Sequence, residues 1–202
     1  MAKIYTNPVY PHYFADPFVL RHEGRYYAYG TAPGSDRGEH FPVLTSVDLV
    51  NWTSAGWALQ PAAGVEFWAP EAAYHEGKFY LYYSARGVND QDHQLRVAVS
   101  EHPAGPFTEV QHILAPHEPF TIDAHPFQDV DGQWYLFYSQ DFLTLEENHR
   151  VGTGVVVDRL IDMLTLEGQP QLVVRPFADW HLFRAQRPMY GAVYDWHTVE
   201  GP

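Results

Sequence analysis

The sequence predicts an all-β fold of the propeller type, in which similar four-stranded sheets (blades) surround a central channel. Three similar segments recur, and each reads as a strand, an acidic-Gly turn and a second strand rich in aromatic residues. The turn glycines Gly24, Gly77 and Gly132 are 53 and 55 residues apart. Glu-Gly and Asp-Gly are hairpin signals, because glycine adopts positive φ at little steric cost. The spacing is close to the roughly 40–50-residue period of propeller blades.

The second half of each unit supplies the outer strands that a blade needs. The β-forming runs Val43–Ser46, Leu95–Ser100 and Gly154–Val157 follow the three hairpins in order. Long amphipathic helices are absent, and only Arg159–Leu164 is compatible with a short helical turn.

Two of the aromatic strands, Phe79–Tyr83 and Trp134–Tyr138, are apolar on both faces. A sheet with one wet face would alternate apolar and polar residues, so these runs favour blades covered on both sides by neighbours. With this period, 202 residues hold three blades and the beginning of a fourth. We therefore expect one propeller domain over residues 1–202, with an open ring whose exposed blade edges favour self-association.

Composition excludes several classes of function. The chain carries 12 Lys and Arg against 25 Asp and Glu, a net charge of −13, which disfavours nucleic-acid binding. No apolar run reaches the roughly 18–20 residues that cross a bilayer, so no membrane partner is expected. There is no cysteine for disulfides or thiolate chemistry. No apolar signal segment is visible, which predicts a cytoplasmic location and leaves secretion open. An acidic chain with 16% aromatic residues suits a neutral, polyhydroxylated ligand.

Two carboxylates occupy equivalent positions in the repeat. Asp16 precedes its turn glycine by eight residues, and Asp123 precedes its own by nine. The matching residue of the middle unit is Ala69, so the blade fold does not itself require a carboxylate there. Because innermost strands converge at one mouth of the channel, we expect Asp16 and Asp123 to lie near its axis. The alternative is that each Asp only begins a strand or forms a side-chain turn.

The last residues, Tyr194–Pro202, resemble the beginning of a fourth innermost strand, with Glu200 facing the channel. Taken alone, a Glu-Gly-Pro sequence is a weak signal that a solvated turn would explain equally well.

Four motifs in this order resemble glycoside hydrolase family 43, and the resemblance covers essentially the whole chain. It implies a five-bladed β-propeller, C-terminally truncated here, that hydrolyses xylosyl or arabinofuranosyl glycosides with inversion. The motifs are Asp16-Pro17, Trp68-Ala69-Pro70-Glu71, Ile122-Asp123 before Phe127-Gln128-Asp129, and Glu200-Gly201-Pro202.

The resemblance also implies roles for three carboxylates. Asp16 matches the general base that activates the attacking water, and Glu200 matches the general acid. Asp123 matches a third carboxylate that orients the acid and raises its pKa. Inversion requires two carboxyl groups roughly 6.5–9.5 Å apart, and a neighbouring negative charge keeps the acid protonated near neutral pH.

Four further residues are candidates for substrate binding. Trp68 resembles the sugar-stacking tryptophan of the family, and Phe14 lies two residues before the first carboxylate. His125 and His197 lie near the other two carboxylates, with a polar rim position as the alternative. Glu71 replaces the Asp that is common in its motif, and we interpret it as a buried hydrogen-bonding residue with a site role as the alternative.

The resemblance assigns no metal ligand in this chain. The family's central metal or water site draws on a histidine from a later blade, although the full-length family fold could carry a structural metal ion on the axis. No cofactor is expected for the chemistry. Asp90–His93 has the composition of a metal site, but we interpret it as a solvated hairpin tip. Ala124 stands where the family commonly has proline.

Two other functions stay open at this stage. The chain could be a non-catalytic carbohydrate-binding or inactive propeller fragment, or a related propeller glycosidase or phosphorylase of another family. The latter predicts phosphate dependence or a retained anomer. The sequence does not determine the sugar or the linkage, because specificity depends on loops around the channel.

Overall fold

The structure is a computed structural model that describes residues 5–88, 92–110, 113–146 and 148–202. The described residues form β-strands and connecting loops, which confirms the all-β prediction. Within these ranges the one helical element is a 3-10 turn at Asp179–His181. No helix in the described part of the chain is long and apolar enough to span a bilayer.

Three sheets follow one another along the chain, as the repeat predicts, and within each blade the strands pair antiparallel. The first blade consists of β1 (Ala15–His22), β2 (Arg25–Thr31), β3 (His40–Ser46) and β4 (Thr53–Leu59). The second consists of β5 (Val65–His75), β6 (Lys78–Arg86), β7 (His93–Ser100) and β8 (Thr108–Glu109). The third contains β9 (Thr121–Gln128), β10 (Trp134–Phe142) and β11 (Gly152–Asp162), with β12 (Thr165–Leu166) and β13 (Gln171–Val174) both paired to β11. A final hairpin, β14 (Leu182–Met189) and β15 (Ala192–Thr198), joins the third sheet.

The hairpin between the two inner strands differs slightly among the blades. In the first two blades the loop is the predicted dipeptide, Glu23-Gly24 or Glu76-Gly77, with positive φ at both positions. Such turns match the right-handed twist of the flanking strands. In the third blade residues 129–133 form a longer loop. The longer loop explains why the third unit has one extra residue between its carboxylate and its turn glycine.

Apolar side chains fill the space between adjacent blades. One cluster joins the first and second blades, and another joins the second and third. Strand β6 contributes to both, because Leu81 and Tyr83 face the first cluster while Tyr82 faces the second. This arrangement confirms that the strand apolar on both faces is covered on both sides.

The short helical turn that the sequence allows at Arg159–Leu164 does not form. Strand β11 continues through Asp162, and Arg159 pairs with Tyr135 of β10. Leu160 is buried in the second cluster, so the strand conformation directs its side chain into the core.

The closing hairpin also departs from the sequence-based expectation. The sequence predicts the beginning of a fourth innermost strand from Tyr194, whereas β15 pairs in parallel with β11, at Gly152 with His197 and at Thr153 with Thr198. A Cβ on Gly152 would overlap the carbonyl oxygen of His197. A glycine at position 152 is therefore what allows β15 to approach the third blade.

Candidate active site

The first strand of each blade bends at the same point. Asp16, Ala69 and Asp123 have φ values of 46°, 47° and 56°, in the left-handed region that few non-glycine residues adopt. The strand pairing is irregular at each of these positions. Because a bulge redirects side chains, the Asp side chains leave the regular alternation of their strands. The structure thus places the two carboxylates at equivalent points, with Ala69 between them.

A hydroxyl group ties each of the second and third bulges to the preceding blade. Thr31 Oγ1 donates to Asp16 Oδ2 at 2.8 Å and accepts the Ala69 N–H, also at 2.8 Å. Ser84 lies seven residues after its turn glycine, as Thr31 does, and its Oγ accepts the Asp123 N–H at 3.2 Å. Strained backbone persists only where its surroundings fix it, and these bonds supply that support.

Glu200 lies one residue before a similar bend. Gly201 has φ 75°, in the left-handed region like the three bend residues, and Glu200 directly precedes it as Trp68 precedes Ala69 and Ile122 precedes Asp123. The side chains of Trp68, Ile122 and Glu200 line one cavity of about 360 Å³. The three residues before the bends therefore face a common space.

Asp123 lies within electrostatic range of three other carboxylates. Burial, and then the negative charges of Glu200, Asp16 and Glu71, together raise the pKa of Asp123 to about 7. The N–H of Gly201 donates to this carboxylate and opposes the shift. The arrangement concentrates negative charge where an acidic proton can be retained near neutral pH.

The pKa of Glu200 is also raised, first by burial and then by the negative charge of Asp141, with a smaller effect of Asp16. Arg187 opposes this shift. The resemblance implied that Asp123 raises the pKa of the acid. Among the charges acting on Glu200, Asp141 is the foremost, and the repulsion between Glu200 and Asp123 raises the pKa of Asp123.

Sequence reasoning missed Asp141. It lies on β10 and lines the same cavity as Glu200. Its carboxylate accepts hydrogen bonds from Thr153 Oγ1 at 2.9 Å and from Tyr190 Oη at 2.7 Å. Arg187 of β14 also lines this cavity. A carboxylate near the end of an apolar strand was the available signal, but one of its partners, Tyr190, lies in a hairpin outside the repeat.

Trp68 forms a wall between two cavities. The second cavity, of about 350 Å³, is lined by Glu66, Phe67 and Trp68 of β5 and by residues from the first part of the chain, up to His40. His93 stacks on the indole of Trp68 with ring centroids 3.6 Å apart, which covers one face of the ring. His93 is only 4% exposed, so the expectation of a solvated hairpin tip is wrong for this residue. Asp92 lines the first cavity, whereas Asp90 and Gln91 lie outside the described residues.

The other candidate residues contact neighbouring groups of the protein. His125 Nδ1 lies 2.7 Å from Glu71 Oε2, and this bond raises the pKa of His125. Glu71 is partly buried, in keeping with the hydrogen-bonding interpretation. His197 is buried within β15, and the ring of Phe14 packs against Gly30. Neither Phe14 nor His197 lines either of the two cavities.

The described residues do not fit an axial metal ion. Within the described ranges no group of three His, Cys, Asp or Glu side chains is arranged to hold one. Asp16 already accepts a hydrogen bond from Thr31, and Glu71 is paired with His125. We therefore derive no chemical step through a metal.

Comparison with known proteins identifies the family. Glycosyl hydrolases family 43 matches residues 5–202. Over 188 residues the chain is 28% identical to an extracellular exo-α-(1→5)-L-arabinofuranosidase of Streptomyces avermitilis, covering 87% of this chain and 37% of that protein. The chain belongs to glycoside hydrolase family 43, as its motifs predicted.

Solved structures support the same assignment. A thermostable family-43 glycoside hydrolase has 38% identity and a TM-score of 0.76, covering 88% of this chain and 58% of the other. A β-xylosidase/α-arabinofuranosidase from a compost microbial metagenome, crystallised with xylotriose in a calcium-free form, has 25% identity and a TM-score of 0.70, covering 97% and 70%. The chain thus spans from 37% to 70% of the length of these relatives.

Proposed function

We propose that this chain carries the hydrolytic site of a glycosidase that cleaves α-L-arabinofuranosyl or β-xylosyl bonds with inversion of configuration. The observation that carries the proposal is the shared bulge of Asp16 and Asp123, with Glu200 one residue before the next bend. Three carboxylates from three segments interact electrostatically there, as paired acid and base chemistry requires.

In the proposed reaction Asp16 is the general base. Its Oδ2 takes the hydrogen bond of Thr31, so Oδ1 is the oxygen that accepts the proton of the attacking water. A new bond then forms between the water oxygen and the anomeric carbon. The bond to the leaving sugar breaks on the opposite face of the ring, which inverts the anomeric configuration.

Glu200 is the proposed general acid. Its raised pKa favours the protonated form, from which it transfers a proton to the departing glycosidic oxygen. Asp123 accepts the N–H of Gly201, the residue directly after Glu200, and so orients the acid through its main chain. Because Asp123 and Glu200 interact, their protons are lost in steps that belong to the pair.

The proposed substrate is a short, neutral oligosaccharide that contains pentose. The names of the relatives support arabinofuranosyl and xylosyl units, and one relative was crystallised with xylotriose. Trp68 offers one face of its ring to a sugar, since His93 covers the other. The relative from Streptomyces avermitilis is called extracellular, which favours secretion over the cytoplasmic location expected from the sequence.

The test is hydrolysis by the purified chain of 4-nitrophenyl β-D-xyloside, 4-nitrophenyl α-L-arabinofuranoside, xylotriose and arabinotriose. Proton NMR of the first-formed sugar should show the inverted anomer, and Asp16→Asn should abolish turnover. Binding without turnover would overturn the proposal in favour of a carbohydrate-binding propeller. A retained anomer, or dependence on phosphate, would assign another mechanism.

A further inference from the structure

The segment that leads to Glu200 is held by the third blade. The His197 N–H donates to the Val151 carbonyl at 3.1 Å, and the Val199 N–H donates to the Thr153 carbonyl at 3.0 Å. Glu200 follows directly after Val199. The position of its carboxyl group therefore depends on how firmly β15 is attached to β11.

Asp141 of β10 is hydrogen-bonded both to β11 and to the turn between β14 and β15. One of its oxygens accepts from Thr153 Oγ1 on β11, and the other accepts from Tyr190 Oη between β14 and β15. Thr153 Oγ1 in turn accepts the indole N–H of Trp196, which is fully buried in β15, at 3.2 Å. A single carboxylate thus joins β10, β11 and the closing hairpin.

We propose that Asp141 is a positioning residue for Glu200, which fixes the closing hairpin to the third blade and so orients the Glu200 carboxyl group in the cavity they share. Both oxygens of Asp141 are engaged with the protein, so it acts through Glu200 and not on substrate. The inference rests on the proposed function for the role of Glu200, whereas the attachment itself can be measured without activity.

The charge of Asp141 adds a second effect. Several charged side chains face Glu200 or its cavity from the surrounding elements. Among the charges that act on the pKa of Glu200, Asp141 has the largest influence after burial, and Arg187 opposes it. Removal of the Asp141 charge should therefore lower the pKa of Glu200, and removal of the Arg187 charge should raise it. The facing groups are Asp16, Glu66, Asp92, His93, Asp123, Asp141 and Arg187.

The first experiment measures the pH profile of kcat on a disaccharide. Asp141→Asn should lower kcat by about tenfold or more with KM within about twofold, and should move the alkaline limb to lower pH. Arg187→Gln should move that limb to higher pH. The controls Asp195→Asn and Arg184→Gln alter exposed residues of the same hairpin outside the cavity and should leave the limb in place. If Asp141→Asn and Asp195→Asn changed kcat and the alkaline limb equally, the proposal would be overturned.

The second experiment separates the attachment of β15 to β11 from the effect of the Asp141 charge, and it needs no substrate. Amide hydrogen exchange at Val199 should accelerate in Asp141→Asn and in Tyr190→Phe, which keeps the carboxylate but loses one hydrogen bond. Carbon-13 NMR titration of Glu200 should show a lowered pKa in Asp141→Asn and not in Tyr190→Phe. If the chain hydrolyses no glycoside, the proposed function fails while these readouts still test the attachment. Unchanged exchange in both variants would overturn the positioning role.

Discussion

Asp16 and Asp123 lie in the same bulge of two different blades, and each is fixed by a hydroxyl group on the second strand of a blade. Thr31 holds the carboxylate of Asp16 directly, whereas Ser84 holds the main chain of Asp123. Ala69 adopts the same backbone conformation without a carboxylate. The bend therefore forms without a carboxylate, and the fold does not require Asp at these positions.

Replacing Asp123 by Asn should stabilise the folded protein above neutral pH. The folded-state pKa of Asp123 is raised to about 7, above its unfolded value, so protonation favours the folded state. This contribution is fully present below the unfolded pKa and is lost as the pH rises through about 7. The stability gain of Asp123→Asn should therefore grow between about pH 4 and 7, by about 1.4 kcal/mol per pH unit at most.

Urea unfolding of both proteins at pH 5 and pH 8 measures this difference. Asp131→Asn, at an exposed turn of the same blade, is the control and should show little dependence on pH. A variant that is less stable than the parent at pH 8 would contradict the electrostatic account of Asp123.

Thr31→Val should reduce activity more than Thr31→Ser. Valine keeps the shape but removes the donor to Asp16 and the acceptor of the Ala69 N–H. The buried N–H loses its partner, which costs about 1–3 kcal/mol of stability, and a displaced Asp16 should lower kcat by about 10- to 100-fold. Kinetics of the two variants on one aryl glycoside provide the measurement. Equal activity of the valine and serine variants would show that the hydroxyl group does not position Asp16.

Gly152→Ala should detach β15 from the third blade. The new Cβ would overlap the His197 carbonyl oxygen, so the parallel pairing cannot form unchanged. Gly168→Ala is the control, because Gly168 also has positive φ but its Cβ would meet no atom within 4 Å. The control should cost about 1 kcal/mol of stability, and Gly152→Ala should cost more. Near-ultraviolet circular dichroism of buried Trp196 reports the detachment, and an unchanged spectrum would contradict it.

Glu71→Gln should lower the pKa of His125. The hydrogen bond that His125 donates to Glu71 is the main cause of the raised pKa, and the charge of Glu71 adds to it. Because the folded-state pKa is raised, the stabilisation by this pair is present below the unfolded pKa of about 6.5 and is lost as the pH rises through the folded value. Proton NMR titration of His125 checks the shift, and an unchanged pKa in Glu71→Gln would exclude the pairing in solution.

The repeat made the blades and two of the carboxylates predictable. Strand order and turn position follow from local patterns that recur, so a residue in one unit identifies its counterpart in another. Asp16 and Asp123 could be matched in this way although they lie far apart in the sequence. The motifs that carry the family resemblance occupy these same strand beginnings, and for this reason the family could also be identified.

The remainder of the candidate site depends on contacts that no local pattern encodes. Asp141 meets Tyr190 only because β15 pairs in parallel with β11, and no local sequence pattern predicts this pairing. His93 belongs to a polar stretch, which predicts exposure to solvent. It is nevertheless buried, and its ring stacks on Trp68 from another strand. Long-range pairing and stacking override local polarity at these points.

The role of Glu200 is tested most directly by the kinetics of Glu200→Gln with two leaving groups. A xylobiose or arabinobiose needs its leaving oxygen protonated, whereas a dinitrophenyl glycoside leaves with little assistance. We expect kcat to fall by about 10²- to 10⁴-fold on the disaccharide and by less than about tenfold on the dinitrophenyl glycoside. An equal loss on both substrates would contradict the assignment of Glu200 as the general acid.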